Sequence, residues 1–172
     1  MSSVNIRKAV LGDEKITAYI QAESWKSGFG NIITAEEMEK HTNLARIEQM
    51  HANVLTNHIA EGLILSVDDK PHCIAFWSKS REEGDDSRAE LICIHSLQDN
   101  WGKGYGSKMM EQVLKDIKNA GYPAVILWVF EDNIRARKLY EKWGFVLTEY
   151  RKDSFGAVEV MYQKNLGEGR TE

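Results

Sequence analysis

The feature that most constrains this chain is a strand, a glycine loop, a helix and a second strand in direct succession. It runs from "AELICIHSL" through "NWGKGYGSKMMEQVLKDI" to "AVILWVF". Both strand segments are nearly continuously apolar at their centres, the pattern of strands buried on both faces. Between them Tyr105, Met109, Val113 and Ile117 fall in one helical row, with Met110 and Leu114 beside it. Gly121 and Pro123 stop that helix. Strands joined by such a crossover run parallel, as a βαβ unit.

The flanking segments predict the rest. "VNIRKA" reads as a first strand, "GLILSVDD" and "HCIAFWSKS" as a meander, and "EEGDDS" as a solvated hairpin loop. "FVLTEYRK" and "AVEVMYQKN" form a closing antiparallel pair. Asp13, Thr34 (with Glu37) and Asn43 are expected to cap three early helices, with "KSGFGNIIT" as a loop after the first. Asn133 opens a short helix carrying Ala136, Leu139, Tyr140 and Trp143, closed by Gly144. The expected fold is α/β (α+β): a mixed, mostly antiparallel sheet of about seven strands with a central parallel βαβ unit and helices on both faces. Residues 1–166 are expected to form a single domain and residues 167–172 a disordered tail.

Composition excludes several function classes. The net charge of −4 gives no basic field for nucleic acid or an anionic membrane. No segment approaches the roughly 20 apolar residues of a membrane span. The N-terminus lacks the apolar run of a leader, so a cytoplasmic location is the default expectation. Cys73 and Cys93 lie in apolar strand runs, which predicts reduced, buried thiols and no nucleophilic role. No His or Cys pair has metal-ligand spacing, so no metal is expected. His41, His51 and His58 fall on predicted surface helices.

Gly102, Gly104 and Gly106 stand directly before a helix N-terminus, which presents unpaired N–H groups and a positive dipole end. Lys103 and Lys108 add positive charge. A tight turn without a ligand would suffice; a bound phosphate or pyrophosphate explains the glycines as well. Two known phosphate loops fit poorly. The Walker pattern lacks its Gly-Lys-Ser/Thr ending, and the dinucleotide pattern meets Ser107 at its third glycine.

A third pattern fits. "AELICIHSLQDNWGKGYGSKMME" followed by "NIRARKLYEKWGF" resembles the GCN5-related N-acetyltransferase superfamily. Gly104 and Gly106 match the small positions of its Gln/Arg-x-x-Gly-x-Gly/Ala loop. Trp101 stands where Gln or Arg is usual, and Gln98 where many members carry proline. The resemblance implies an N-acetyltransferase with acetyl-CoA as co-substrate, attacked directly by a primary amine in a ternary complex. A non-catalytic acyl-CoA-binding regulator on the same fold is the alternative.

The site residues follow from the same resemblance. The pyrophosphate role maps to Gly102, Lys103, Gly104, Tyr105, Gly106 and Ser107. The pantetheine arm would pair with Ile94, His95 and Ser96, which requires the two parallel strands to splay. Asn133 matches an asparagine near the cofactor, or simply caps its helix. Tyr140 matches the tyrosine that protonates the leaving thiolate, or is a core residue. Glu90 is either the general base or a strand carboxylate paired with Arg88 or another basic group. Trp25 and Phe29 are expected in the acceptor pocket, whose ligand could be a polyamine, an aminoglycoside, an amino acid or a protein N-terminus. The resemblance is compatible with a homodimer.

Overall fold

Seven strands and five α-helices lie along residues 1–167, the part of the chain that the computed structural model describes. The strands are β1 (Val4–Lys8), β2 (Glu61–Val67), β3 (Lys70–Lys79), β4 (Ala89–Ser96), β5 (Ala124–Phe130), β6 (Val146–Ser154) and β7 (Ala157–Asn165). The helices are α1 (Glu14–Gly28), α2 (Ala35–His41), α3 (Leu44–Thr56), α4 (Tyr105–Asn119) and α5 (Ile134–Lys142). One sheet holds all seven strands in the order β1-β2-β3-β4-β5-β7-β6. Of the expected tail, residues 168–172 lie outside the described residues.

Only β4 and β5 pair in parallel, as the crossover helix requires. Their contact is short, from Ala89 opposite Val125 to Leu91 opposite Leu127. Beyond that point β4 keeps its other neighbour, β3, as far as Ser96 opposite Cys73. The two central strands therefore part, and one main-chain edge of β4 faces open space. A β-bulge sits where they part. Trp77 opposes Leu91 while Phe76 opposes Cys93, so Ile92 is an extra residue in β4.

The bulge resets which side chains face which helices. Trp77 and Ala75 pack toward α4, and their partners Leu91 and Ile94 follow them. Phe76 and Ile74 pack toward α1 and α3, so Cys93 and His95 face that side too. The α4 row Met109, Val113 and Ile117 is fully buried, each side chain contributing roughly 2 kcal/mol through burial.

Several local expectations are corrected. Asp13 does not cap α1; its carboxylate takes two N–H bonds from Arg7 at 2.8 Å and one from the Val10 amide. The guanidinium holds the Asp13 carboxyl below its ordinary range. Thr34 and Asn43 do cap, accepting from the Glu37 and Arg46 amides. Helix α1 continues through Lys26–Gly28 instead of ending in a loop there. His51 is buried between α1 and α3, bonded to Thr17 Oγ1 (2.7 Å) and Gln21 Oε1 (3.0 Å). His58 follows α3 as an exposed residue with positive φ. The acidic hairpin loop is not merely solvated: Asp85 binds Arg88, and Glu82 accepts the Trp128 indole N–H at 2.8 Å.

Candidate active site

The gap between β4 and β5 opens into a cavity of ≈ 960 Å³. At one end lies the glycine loop and the first turn of α4. At the other lies an aromatic cluster under α1. The sequence-predicted residues Glu90, Ile94, His95, Ser96, Asn133 and Tyr140 all line it, as do Trp25 and Phe29. Of the loop, Gly102, Gly104, Tyr105, Gly106 and Ser107 line it, whereas Lys103 does not and stays exposed.

The loop explains its own glycines in two ways. Gly102 and Gly104 have φ of 78° and 83°, a conformation that side-chain-bearing residues avoid. Gly104 caps α4 in that conformation, and no side chain caps the helix. The first backbone bond of this end runs from the Lys108 N–H to the Gly104 carbonyl at 3.1 Å. The N–H groups of Tyr105, Gly106 and Ser107 are therefore left without helical partners. Gly106 has ordinary φ, and a Cβ there would meet only Leu139 Cδ2, at 3.7 Å. Its missing side chain serves neither the turn nor the core. It leaves Gly106 bare where the residue lines the cavity beside those N–H groups.

Trp101 departs from the usual Gln or Arg, and the structure gives it two contacts. Its indole N–H bonds the Ser96 carbonyl at 3.1 Å, tying the loop to the end of β4. The Arg135 guanidinium lies 3.5 Å from the ring centroid. Arg135 lines the cavity, and among the described residues it has no ion-pair partner. The residue is largely exposed, and partial desolvation lowers its pKa. Sequence reading missed it because a single Arg inside "NIRARK" looks like a solvated helix face.

Tyr140 projects from α5 into the main core, 7% exposed, with its ring 5.9 Å from Phe145 and 6.4 Å from Tyr162. Burial raises its pKa above the ordinary phenol value, so the hydroxyl keeps its proton. Cys93 borders the same cavity, and burial pushes its thiol up to about 12. A thiol that stays protonated is a poor nucleophile. Asn133 accepts from the Ala136 amide at 3.3 Å, so it does cap α5.

Glu90 is 1% exposed, and its partner is Arg81, not Arg88. The Arg81 amide donates at 3.0 Å, Arg81 Nε at 3.0 Å, and Nη2 donates to the same carboxylate. Arg88 turns to Asp85 and to Gln163 instead. His95, on the same face, contacts Ser24 Oγ at 3.4 Å, and burial lowers its pKa to about 4. It is therefore neutral at physiological pH.

The far wall is aromatic. Trp25 meets Phe29, Phe155 and Phe130 edge-on, with centroids 5.0, 5.1 and 6.4 Å away. Its buried indole N–H has no hydrogen-bond partner among the described residues. Among those residues no cluster of His, Cys, Asp or Glu could hold a metal ion, and no helix is long and apolar enough to cross a membrane.

Comparison with known proteins adds a family to this geometry. The model of the acetyltransferase (GNAT) family matches residues 20–145. Mycothiol acetyltransferase of Brachybacterium faecium is 31% identical over 87 residues, which are 50% of this chain and 26% of that protein. The chain thus spans well under two thirds of that relative. The uncharacterized N-acetyltransferase YuaI of Bacillus subtilis is 25% identical over 134 residues, 76% of this chain and 73% of that one. The PaiA N-acetyltransferase of Thermoplasma acidophilum, solved in complex with coenzyme A, superimposes with a TM-score of 0.80 at 20% identity. That match covers 95% of this chain and 99% of the other, and it shows the fold.

Proposed function

The chain belongs to the acetyltransferase (GNAT) family, and from that membership we propose that it transfers the acetyl group of acetyl-CoA to a primary amine by direct attack in a ternary complex. The observation that carries the proposal is the run of Tyr105, Gly106 and Ser107 N–H groups, which have no hydrogen-bond partner among the described residues and line the cavity at a glycine whose Cβ would meet only Leu139. A diphosphate fits such a cradle, because main-chain N–H groups and a helix dipole favour anions. Arg135, stacked on Trp101, would add a cation on the cavity wall, which Lys103 of the loop does not line. The pantetheine arm would lie along the unpaired edge of β4 at Ile94, His95 and Ser96, completing the sheet where β5 has turned away. The Ser96 carbonyl is already taken by Trp101, which leaves neighbouring main-chain groups for the arm.

When bound, acetyl-CoA supplies an activated thioester. This chain's residues would then hold and move protons around it. Tyr140, protonated at physiological pH, is the proposed donor to the departing sulfur. The protonated Cys93 thiol supports direct transfer over an acyl-cysteine route. The aromatic wall with Trp25 and Phe29 would receive the body of the amine. One of the carboxylates lining this space, Glu82, Glu90 or Glu159, would serve as the base.

The test combines binding and turnover. Acetyl-CoA should raise the melting temperature and NAD should not. Tyramine, spermidine, kanamycin and an Ala-starting peptide are then offered with acetyl-CoA, and released CoA thiol is measured. A melting temperature indifferent to acetyl-CoA contradicts the ligand; absence of thiol release with every amine contradicts the transfer.

A further inference from the structure

An alkyl ammonium must lose a proton before its nitrogen can attack, so the site needs a base whose oxygens are free to accept it. Three carboxylates line the cavity: Glu82, Glu90 and Glu159. Glu82 is engaged by the Trp128 indole. Glu90 receives three donors from Arg81, which fix both of its oxygens. A carboxylate clamped in this way has already given its lone pairs to a permanent cation.

Glu159 differs. It sits on β7 opposite Phe130 of β5 and Lys152 of β6, on the sheet face shared with the aromatic wall. Its side chain is 12% exposed, and among the described residues its nearest cation is Lys152 Nζ at 3.8 Å, beyond hydrogen-bonding distance. That ammonium also lies 4.1 Å from the Trp128 ring centroid. The charged groups around Glu159 are Lys152, Arg81 and Glu90, and the Ser154 hydroxyl is a hydrogen-bonding neighbour that leaves most of its lone pairs unclaimed.

We infer that Glu159 is the general base and that the Glu90–Arg81 pair is a positioning element that fixes the β3–β4 loop over the site. The inference rests on the acetyl transfer proposed above. Burial is the largest influence on Glu159 and raises its pKa, toward the range where a carboxylate accepts a proton usefully near neutral pH. Glu159 takes one proton from the ammonium, and the freed nitrogen bonds to the thioester carbonyl carbon. The carbon–sulfur bond breaks, and sulfur takes the Tyr140 proton. The second proton lost by nitrogen restores Tyr140, and Glu159 returns its own to solvent.

The experiment measures kcat/KM against pH for the wild type, Glu159→Gln and Glu90→Gln, using whichever of tyramine, spermidine, kanamycin or the Ala-starting peptide releases thiol fastest. Acetyl-CoA affinity of each variant is measured alongside as a check on folding. Glu159→Gln is expected to lower kcat/KM at least 100-fold and abolish the acidic limb, with acetyl-CoA affinity unchanged. Glu90→Gln should lower the melting temperature but keep the limb. An acidic limb that survives Glu159→Gln, or disappears in Glu90→Gln alone, overturns the assignment. If the wild type releases thiol with none of the amines, the transfer reading itself fails, and the assignment falls with it by a distinguishable result.

Discussion

The Arg135 guanidinium lies 3.5 Å from the Trp101 ring centroid, so a residue of α5 and a residue of the glycine loop form one unit at the mouth of the cavity. The Trp101 indole is held in turn by the Ser96 carbonyl. Trp101, standing where the family's loop pattern has Gln or Arg, thus seats the Arg135 cation on its ring. Arg135→Ala should weaken acetyl-CoA binding about 10-fold, as expected for loss of one charge-assisted contact. The loss should shrink as salt rises. Titration calorimetry at two ionic strengths measures both; equal affinity of variant and wild type would detach Arg135 from the cofactor.

Gly106→Ala separates the two explanations of the glycine loop. A Cβ there makes only an ordinary contact with Leu139, and φ is unstrained. Replacing a helical glycine should raise stability by roughly 0.5–1 kcal/mol. The same methyl would intrude on the space over the α4 amides and reduce acetyl-CoA affinity. Thermal melts with and without ligand should show opposite signs. A variant that is more stable and binds equally well would mean the space is not a cradle.

Tyr140→Phe removes only the hydroxyl from a packed ring. Turnover should drop by about 10²-fold, in the range of a lost general acid, with acetyl-CoA affinity intact. Steady-state kinetics paired with calorimetry reads this directly. Unchanged kcat would return Tyr140 to a core role.

His51 predicts a pH dependence of stability. Its Nδ1 accepts from the Thr17 hydroxyl while Nε2–H donates to Gln21, an arrangement suited to the neutral ring. Burial lowers its pKa from 6.5 to about 4. The unfolded chain thus binds a proton that the folded chain refuses between these values. Stability should fall as pH drops from 6.5 toward 4, by an amount on the order of 3 kcal/mol. His95 acts in the same direction over the same window. Urea melts across this range should show the fall, and His51→Gln should reduce it. A curve unaltered by His51→Gln would contradict the linkage.

Sequence patterns carried the fold well where periodicity was strong. The α4 row, the parallel β4–β5 pair and the closing hairpin follow from apolar spacing and the crossover rule. The splay of β4 from β5 was expected only through the family resemblance, and the Ile92 bulge was not expected at all, because a bulge changes register without changing composition. At the site, residues inside the loop and helix motifs were legible, including Gly104, Gly106 and Tyr140. Arg81, Arg135 and Glu159 were not: Arg81 and Arg135 lie in segments that read as ordinary surface, and the strand pattern around Glu159 does not say what its face meets. Only strand register and loop folding bring them to the cavity. His51 was misread for a related reason: its helix is packed on one flank by α1, a tertiary contact that helical spacing alone does not reveal.

The central claim is that main-chain amides at the α4 N-terminus hold the diphosphate of acetyl-CoA. The most direct measurement is a titration of the uniformly 15N-labelled chain with acetyl-CoA, following backbone amide resonances. The largest shifts are expected at Gly104, Tyr105, Gly106 and Ser107, with smaller ones at Ile94, His95 and Ser96. Saturating acetyl-CoA that leaves the 104–107 amides unmoved would contradict the account.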